Sequence, residues 1–487
     1  MRGWLIPLQR ATATSTPVRW VVPMPPVLLE DIAVDMFMVS SFGLFVMTLF
    51  QPLLRVPSRQ SFALFACGWA LAAERHTITA SLWVTGATTR KHFSRFSVFL
   101  GGPLYNVRWQ MWAPLIRHAA TWVPQDAPIV LALDDLTKKK AGRHLEGLDR
   151  YRNSAGSARQ AYRPLRGLHF VLGGMRLPLP LWPASRITLP SGLALSLTAP
   201  LADKLPLAYR SRRTLARDIV DFVAQMLPTR AIRAIADGGY ATKEFLRDLP
   251  QAVDVVSRLL SSAHLYAWPP ASPRPCRGRP PRTGKSLGSP KTFARTRKGG
   301  HDHPTEARAQ VQSWVGLWHS VLPGRPIRIV GGRREAPHKP PAAGQRTLRP
   351  SVEACCTTAL TRSLEAVLDA SRARWAVAID RRDAQAFSGV GQDQWRQWRR
   401  IVGANTFRLV RAAARTLWCM EHAKRTGSIE LCRYRPWYRH KVAPSQLDIV
   451  SICRETLQAA GVFPIARFRQ AVDENHDEPE NTLPFVA

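Results

Sequence analysis

Two short apolar runs that end in acidic residues constrain the fold of this chain more than any other feature. The run APIVLALDD, residues 127–135, ends in Asp134 and Asp135, and the run AIRAIADGG, residues 231–239, places Asp237 before two glycines. Continuous apolar runs of this length, closed by turn residues, are typical of buried β-strands. We therefore predict two buried strands, each carrying acidic side chains at its end.

Strand and helix patterns alternate across and beyond these two runs. The segments LHFVLGG and MRLPLPLW, separated by Gly173 and Gly174, predict a hairpin. Residues 212–227 then place apolar side chains at helical spacing, and the segment AVDVVSRL, residues 252–259, predicts a further strand. Alternation of this kind from about residue 126 to residue 260 indicates a mixed α/β sheet.

The regions on either side of this sheet have different compositions. Apolar periodicity predicts helices over residues 28–125, including two short helices around Gly86 whose basic end could lie on DNA. Residues 36–54 carry no charge and are just long enough to span a bilayer, but polar residues within them favour a buried helix. Residues 266–350 are rich in Pro, Arg and Lys, which predicts an extended basic arm or insertion.

The charge balance indicates a polyanionic partner. The chain has 69 Lys and Arg residues against 34 Asp and Glu residues, for a net charge of +35. A field of this size attracts phosphate, so double-stranded DNA or RNA is the first candidate and an anionic membrane surface is the second. The plainer alternative is an Arg-rich genome bias. Seven scattered cysteines without a CxxC pair favour a reducing compartment and exclude a structural zinc site of that type.

The acidic residues form the strongest candidate site. If the two predicted strands are adjacent and parallel, their carboxylates converge at one edge of the sheet. Converging carboxylates bind hard cations such as Mg²⁺, and two such ions can clamp the oxygens of a phosphodiester during transfer. The alternative is that these acids cap turns and helix N-termini, which Asp commonly does. Spacing alone does not separate the two interpretations.

A basic segment offers a second candidate contact. The sequence RGRPPR contains Arg277, Arg279 and Arg282 in an extended Arg-Gly-Arg-Pro setting. Such a segment fits a narrow minor groove, where the potential of DNA is most negative. A solvated basic linker explains the same residues equally well.

Several segments, taken together and in order, resemble the DDE-type insertion-sequence transposases of bacteria. VLALDDLTKKKAGRHLEG resembles their first acidic motif, AIADGGYATKEFL their second, GRGRPPRTGK a stretch of their insertion and RWAVAIDRRDAQAFSGVGQDQ their third-motif helix. The resemblance extends from about residue 45 to residue 468. It implies an α/β, RNase H-like mixed sheet flanked by helices, with a helical N-terminal domain and a basic Pro/Arg-rich insertion.

The resemblance also implies a division of the chain. Residues 28–125 correspond to a helical DNA-binding region, and residues 126–265 together with 351–425 correspond to the catalytic domain. Residues 266–350 are the insertion or arm, and residues 426–487 are a C-terminal basic segment with an acidic tail.

By position, the resemblance makes Asp135 and Asp237 the first two catalytic acids and the ligands of Mg²⁺ or Mn²⁺, with Asp134 as a neighbour. Arg374 corresponds to the family's phosphate-contacting arginine, and Lys138 and Lys139 follow the first motif as candidate DNA contacts. The implied partners are double-stranded DNA, at transposon ends and target sites, and a second copy of the chain as a homodimer on DNA. No membrane partner is expected, and the implied location is the bacterial cytoplasm at the nucleoid.

The third motif departs from the family pattern. The expected Tyr, Arg, Glu and Lys correspond here to Ser371, Arg374, Ala378 and Gln385, so only the arginine is retained. At about 100° per residue, Asp380 lies roughly 160° around the helix from Ala378 and does not share its face. We therefore predict a DDE transposase impaired in metal-dependent strand nicking and transfer. The alternative is a non-catalytic DNA-binding protein derived from such an enzyme.

Overall fold

A computed structural model describes most of the chain between residues 40 and 460. The described ranges are 40–72, 76–85, 87–88, 92–151, 164–205, 207–260, 262–269, 281–290, 292, 301–302, 309–334, 351–392, 394–427, 432, 437, 441 and 443–460. Within these ranges the backbone alone is described at residues 183, 301–302, 309–310, 333–334, 351–352 and 375–385.

Short helices form the N-terminal part of the described chain, as the apolar periodicity predicts. They are α1 (Ser41–Leu49), α2 (Val56–Leu71), α3 (Ile78–Val84), α4 (Phe93–Gly101), α5 (Pro103–Asn106) and α6 (Trp112–Ala120). Within the uncharged stretch, Ser41–Leu49 form the nine-residue α1, which buries Phe42 and Val46. Within the described part of the chain, no helix is long and apolar enough to cross a membrane.

One large mixed sheet forms the centre of the molecule. Its strands are β1 (Ile129–Lys139), β2 (Asp149–Tyr151), β3 (Leu165–Leu179), β4 (Trp182–Ser196), β5 (Ile232–Ala236), β6 (Val253–Arg258), β7 (Leu265–Tyr266), β8 (Ser286–Gly288), β9 (His301–Asp302), β10 (Ala309–Leu317), β11 (Pro326–Arg334) and β12 (Ser351–Thr357). Their order is β2-β3-β1-β5-β6-β12-β11-β10-β7-β8, with β4 on β3 and β9 on β10.

The remaining helices cover this sheet or extend the helical part. They are α7 (Ala199–Lys204), α8 (Arg212–Met226), α9 (Lys243–Leu246), α10 (Leu364–Ser388), α11 (Trp398–Thr426) and α12 (Gln446–Ala459). Strand β3 pairs antiparallel with both β4 and β1, whereas β1, β5 and β6 run parallel to one another. This mixed sheet flanked by helices, with a helical N-terminal region, confirms the predicted fold class.

The hairpin turn lies later in the chain than the glycine pair suggested. Strand β3 continues through Gly173 and Gly174, and the turn into β4 lies at residues 180–181. A Cβ on Gly173 would stand 2.5 Å from Cγ2 of Ile219 in α8. These glycines therefore do not mark a turn, and the one at 173 lets a helix approach the sheet closely.

The basic insertion is not an extended arm throughout. Strands β10 and β11 form a hairpin within it, and β11 pairs with β12, which in turn pairs with β6. The apolar positions Val311, Leu317 and Ile329 are buried in this extension of the sheet. The low apolar content of the whole segment did not predict these two strands. Their side chains are buried against residues far away in sequence, which the composition of the segment does not reveal.

The C-terminal helical region is interrupted. Helix α10 ends at Ser388, and α11 begins at Trp398. Gly389 ends α10 with a φ of 76°, a left-handed conformation that favours glycine. Beyond the break, α11 packs against β4 of the sheet and against α4, α5, α6 and α12, so it forms the centre of the helical part.

Candidate active site

The two acid-bearing strands are neighbours. Strands β1 and β5 pair in parallel, with Ala132 level with Ile235. Two residues further along each strand, the same register sets Asp134 level with Asp237. The sequence expectation of adjacent, parallel acidic strands is therefore confirmed, although β1 continues past its acids to Lys139 because β3 pairs with it along this length.

Asp237 is held by the helix that carries the third motif. It follows β5 directly and precedes the short 3₁₀ turn Gly238–Tyr240. Nη1 of Arg374 in α10 lies 3.2 Å from Oδ1 of Asp237, whose side chain is half exposed. The retained arginine of the third motif thus contacts the second acid directly.

Asp135 has a different set of partners. Nη1 of Arg212, at the start of α8, lies 2.9 Å from Oδ2 of Asp135, and the hydroxyl of Tyr240 donates a hydrogen bond to Oδ1. Nε2 of His169 in β3 lies 3.8 Å from Oδ2 of Asp135, and Nδ1 of His169 is 2.7 Å from the Thr137 hydroxyl. Asp135 therefore joins β1 to α8, to β3 and to the turn after β5.

Two of these partners have perturbed acid–base properties. Burial, reinforced by the charge of Asp135, raises the pKa of Tyr240 well above its usual value, so Tyr240 remains a hydrogen-bond donor. Burial lowers the pKa of His169, against the opposing effect of Asp135. His169 is therefore neutral at pH 7 and acts as a positioning group for the Asp135 carboxylate.

The adjacent acids of β1 lie on opposite faces of the sheet. Val130 and Ile235 pack against Val367 and Ala370 of α10, so the even-numbered positions of β1 face α10. Successive strand residues alternate between faces. Asp134 therefore shares the α10 face with Asp237, whereas Asp135 faces α8 and its Arg212.

The described part of α10 contains two positions of the third motif. The Ser371 hydroxyl is 3.1 Å from Sγ of Cys355 in β12, and Arg374 contacts Asp237. The helix is uninterrupted from Leu364 to Ser388, so position 378 follows position 374 by one turn and about 40°. Ala378 and Gln385 have described backbones, and their side chains lie outside the description.

Comparison with known proteins matches the region that contains both acidic strands. The family model described as "DDE superfamily endonuclease" matches residues 48–321, more than half of the chain. The chain belongs to this family. No curated protein matches it. The matched residues include β1, β5 and the acids at their ends, and they stop before α10.

The donor set suits a single hard cation better than a pair. Carboxylate oxygens are the preferred ligands of Mg²⁺, which commonly uses one or two carboxylates and completes its shell with water and phosphate oxygens. Asp134 and Asp237 supply such oxygens on one face. Across the described side chains, however, no group of three or more His, Cys, Asp or Glu residues could hold a metal ion. The residues present therefore fit one ion that shares its shell with DNA.

The predicted basic contacts are only partly within the description. Lys139 is exposed, and Lys138 is half buried with its side chain against Gly391. Arg282 is exposed, while Arg277 and Arg279 lie outside the described residues. Sequence analysis did not predict Arg212, Tyr240 or His169. Tyr240 could have been identified from the sequence, because it lies three residues after Asp237 in the second motif. Arg212 and His169 could not, because only tertiary packing brings them to Asp135.

Proposed function

We propose that this chain derives from an enzyme that nicks double-stranded DNA at transposon ends and joins it to target DNA. The observation that supports this most is the parallel pairing of β1 and β5, which sets Asp134 level with Asp237 on the face covered by α10. Membership of a DDE endonuclease family and a net charge of +35 agree with a DNA substrate. Mg²⁺ or Mn²⁺ is the cofactor of this reaction, and the chain acts on DNA as a homodimer at the bacterial nucleoid.

The residues of the site divide the work. When bound, the ion would activate water or a 3′-hydroxyl and stabilise charge on phosphate oxygens. Arg374 neutralises Asp237 and is close enough to turn toward a phosphate when DNA arrives. Arg212 and Tyr240 hold Asp135, and through it fix β1 against the turn that carries Asp237.

Two assignments of the first acid follow from different arguments. The family resemblance makes Asp135 the metal ligand, whereas strand alternation gives Asp134 the face of Asp237. We propose that Asp134 faces the ion together with Asp237, and that Asp135 positions the strand. Asp134 and Asp135 are neighbours in β1 with the same side chain, and they differ in the face of the sheet that they occupy. A substitution of one is therefore a matched control for the same substitution of the other.

The chain as written is expected to nick DNA weakly or not at all. Position 378 lies one turn beyond Arg374 on α10, where the family has its third acid, and alanine has no oxygen to offer. Losing a group that stabilises transition-state charge costs about 10² to 10³ in rate. This same observation favours the second candidate function, a non-catalytic protein that occupies transposon ends without cutting them.

Metal titration of three variants tests the site. Paramagnetic Mn²⁺ titration should show binding to the unaltered protein that is lost in Asp237→Asn and Asp134→Asn and largely kept in Asp135→Asn. Loss in Asp135→Asn with retention in Asp134→Asn would restore the family assignment. Equal binding by all four proteins would mean that these acids are structural caps.

DNA binding and cleavage are separate measurements. Binding to duplex DNA carrying the neighbouring terminal repeats should weaken steeply with salt, because each phosphate contact releases counterions. Deleting residues 270–300 should flatten that dependence. Salt-independent affinity would contradict a DNA partner, whereas strong binding without nicking would identify the non-catalytic function.

A further inference from the structure

A row of buried arginines lies far from the acidic strands. Arg408, Arg411 and Arg415 follow one another at spacings of three and four on α11, so they share one face of that helix. Each is at most 1 % exposed. The guanidinium of Arg411 stands 6.0 Å from the ring centroid of Trp69 in α2. Cys453 of α12 is close enough to interact electrostatically with both Arg411 and Arg415. The row therefore lies where α2, α11 and α12 meet.

Several N–H donors of Arg411 and Arg415 have no acceptor in the described structure. Nη2 of Arg411 lies 3.4 Å from the carbonyl oxygen of Ser388, a long hydrogen bond at the end of α10. Nε and Nη1 of Arg411, and Nε of Arg415, are fully buried and have no hydrogen-bond partner among the described residues. Buried polar groups in native proteins are normally paired, so these atoms indicate an acceptor from elsewhere.

The charges of Arg411 and Arg415 are not balanced by the described groups around them. The titratable groups that act on Arg411 are Arg408, Arg415 and the thiols of Cys67 and Cys453, and those that act on Arg415 are Cys453, Cys419 and Arg454. No carboxylate is among them. Burial raises the pKa of Cys67 and of Cys453 to about 12, so these thiols are neutral. Arginine itself stays protonated in proteins.

An uncompensated buried charge is among the most costly features that a fold can contain. The face of Trp69 offsets only part of that cost for Arg411. A carbonyl at 3.4 Å satisfies one N–H of the five in the guanidinium. What remains is a pair of buried guanidinium groups one helical turn apart, with N–H groups and positive charge in excess.

We propose that Arg411 and Arg415 form an internal binding site for a small oxyanion of the inorganic phosphate class. The planar guanidinium fork matches the spacing of oxygens on phosphate or sulfate, and two such groups can share one tetrahedral anion. A chloride ion has no array of oxygens to pair with the two N–H groups of each fork, so it matches this site less well than a tetrahedral oxyanion. Because Arg411 also donates to the carbonyl oxygen of Ser388, an anion that fixes Arg411 would hold α11 against the end of α10. This site is independent of the DNA-cutting function proposed above.

Thermal unfolding of the full chain tests the site, with inorganic phosphate as the probe. Phosphate should raise the unfolding temperature by at least about 2 °C over chloride at equal ionic strength, because a ligand of the native state stabilises it. Arg411→Met should lose this rise and should unfold at a higher temperature than the unaltered protein in anion-free buffer, since it removes a buried charge. Arg396→Met, an exposed arginine near the start of α11, should keep the full phosphate response.

Each other outcome decides against the site. An equal rise in the Arg411→Met and Arg396→Met proteins would show a general salt effect on the surface. Stabilisation by duplex DNA without any effect of free phosphate would make the ligand a nucleic acid. If Arg411→Met does not fold, binding of ³²P-labelled phosphate to the unaltered protein by equilibrium dialysis decides, with one ion per chain expected and none overturning the proposal.

Discussion

Arginine is used in opposite ways in the sheet and in the helical part of this molecule. At the acidic strands, Arg212 and Arg374 are 43 % and 23 % exposed, and each contacts one carboxylate. In the helical part, Arg411 is fully buried, and none of the described residues pairs a carboxylate with it. Partly exposed ion pairs contribute little stability, so under the proposed function the Arg374–Asp237 pair can give way to metal or phosphate. The buried row cannot exchange with solvent, so its charge must be matched inside the fold.

The two regions also differ in packing. Aromatic rings fill the helical part, and Phe407 of α11 contacts Phe62 and Trp69 at centroid distances of 4.7 and 5.1 Å. The sheet instead buries aliphatic side chains and relies on glycine where α8 approaches. Substitutions in the helical part therefore test aromatic packing, and substitutions in the sheet test its site and its close contacts. Four predictions follow from this difference, ordered from the largest expected effect to the smallest.

Truncating Phe407 should be the most damaging change. Phe407→Ala removes a fully buried ring at the centre of the aromatic cluster and leaves a cavity. The free energy of unfolding should fall by about 3–5 kcal/mol, measured by urea denaturation. Phe93→Ala, at a ring that is 55 % exposed, is the control and should cost less than about 0.5 kcal/mol. Similar losses in both variants would mean that α11 is not the centre of the helical part.

Restoring the third acid should give the largest gain. Ala378→Glu adds a carboxylate one turn beyond Arg374 and should raise Mg²⁺-dependent nicking by about 10² to 10³. The control is Ala378→Gln, because a Gln side chain is nearly the same size as Glu and carries no charge. It should not raise the nicking rate. Adding Gln385→Lys and Ser371→Tyr should raise the rate further, because groups at one site act together. Robust nicking by the unaltered protein that Asp380→Asn abolishes would show that another acid already fills this role.

Local patterns in the sequence were sufficient for the main elements. The apolar runs of β1 and β5, the helical spacing of α8 and the strand β6 all formed as predicted, because each depends on residues close together in the chain. The face of each acid was not accessible in the same way. Asp134 and Asp135 differ by one position, and a shift of one residue moves a strand side chain to the opposite face.

The net charge of the chain was also insufficient to predict where its arginines lie in the fold. A net charge of +35 suggested a basic surface, and composition carries no information on which arginines become buried. The position of Arg411 depends on α2 and α12, which come from opposite ends of the described chain. The partners Arg212 and His169 of Asp135 likewise depend on tertiary contacts. Sequence patterns thus predicted the candidate acids and left their surroundings to the fold.

Replacing Gly173 in the sheet with alanine should lower the free energy of unfolding by less than Phe407→Ala does. In Gly173→Ala, the new Cβ would stand 2.5 Å from Cγ2 of Ile219, which is fully buried. Overpacking of this kind costs about 1–3 kcal/mol, measured by urea denaturation. The matched control is the pair Gly173→Ala and Ile219→Ala, in which the obstructing methyl is absent. Its cost should be less than the sum of the two single changes, and strict additivity would contradict the close approach of α8 to β3.

The smallest effect concerns protons near the arginine row. Burial, and next the charge of Arg411, lower the pKa of His76 to about 3, against an ordinary value of 6.5. Between these two values the unfolded chain binds more protons at His76 than the folded protein does, so stability rises with pH across that window. The full contribution is present above pH 6.5 and is lost as the pH falls through the window.

At pH 5.5 this loss should reach about 1.4 kcal/mol, because one pH unit below the unfolded pKa corresponds to that free energy. The measurement is urea denaturation at pH 7.5 and pH 5.5 for the unaltered protein and for His76→Gln. Asp218 and Asp254, whose pKa values burial raises to about 6, act in the opposite direction in both proteins. The difference between the two proteins therefore isolates His76. An identical pH dependence in both would show that His76 has the same pKa in the folded and the unfolded chain, and would contradict the uncompensated positive charge beside it.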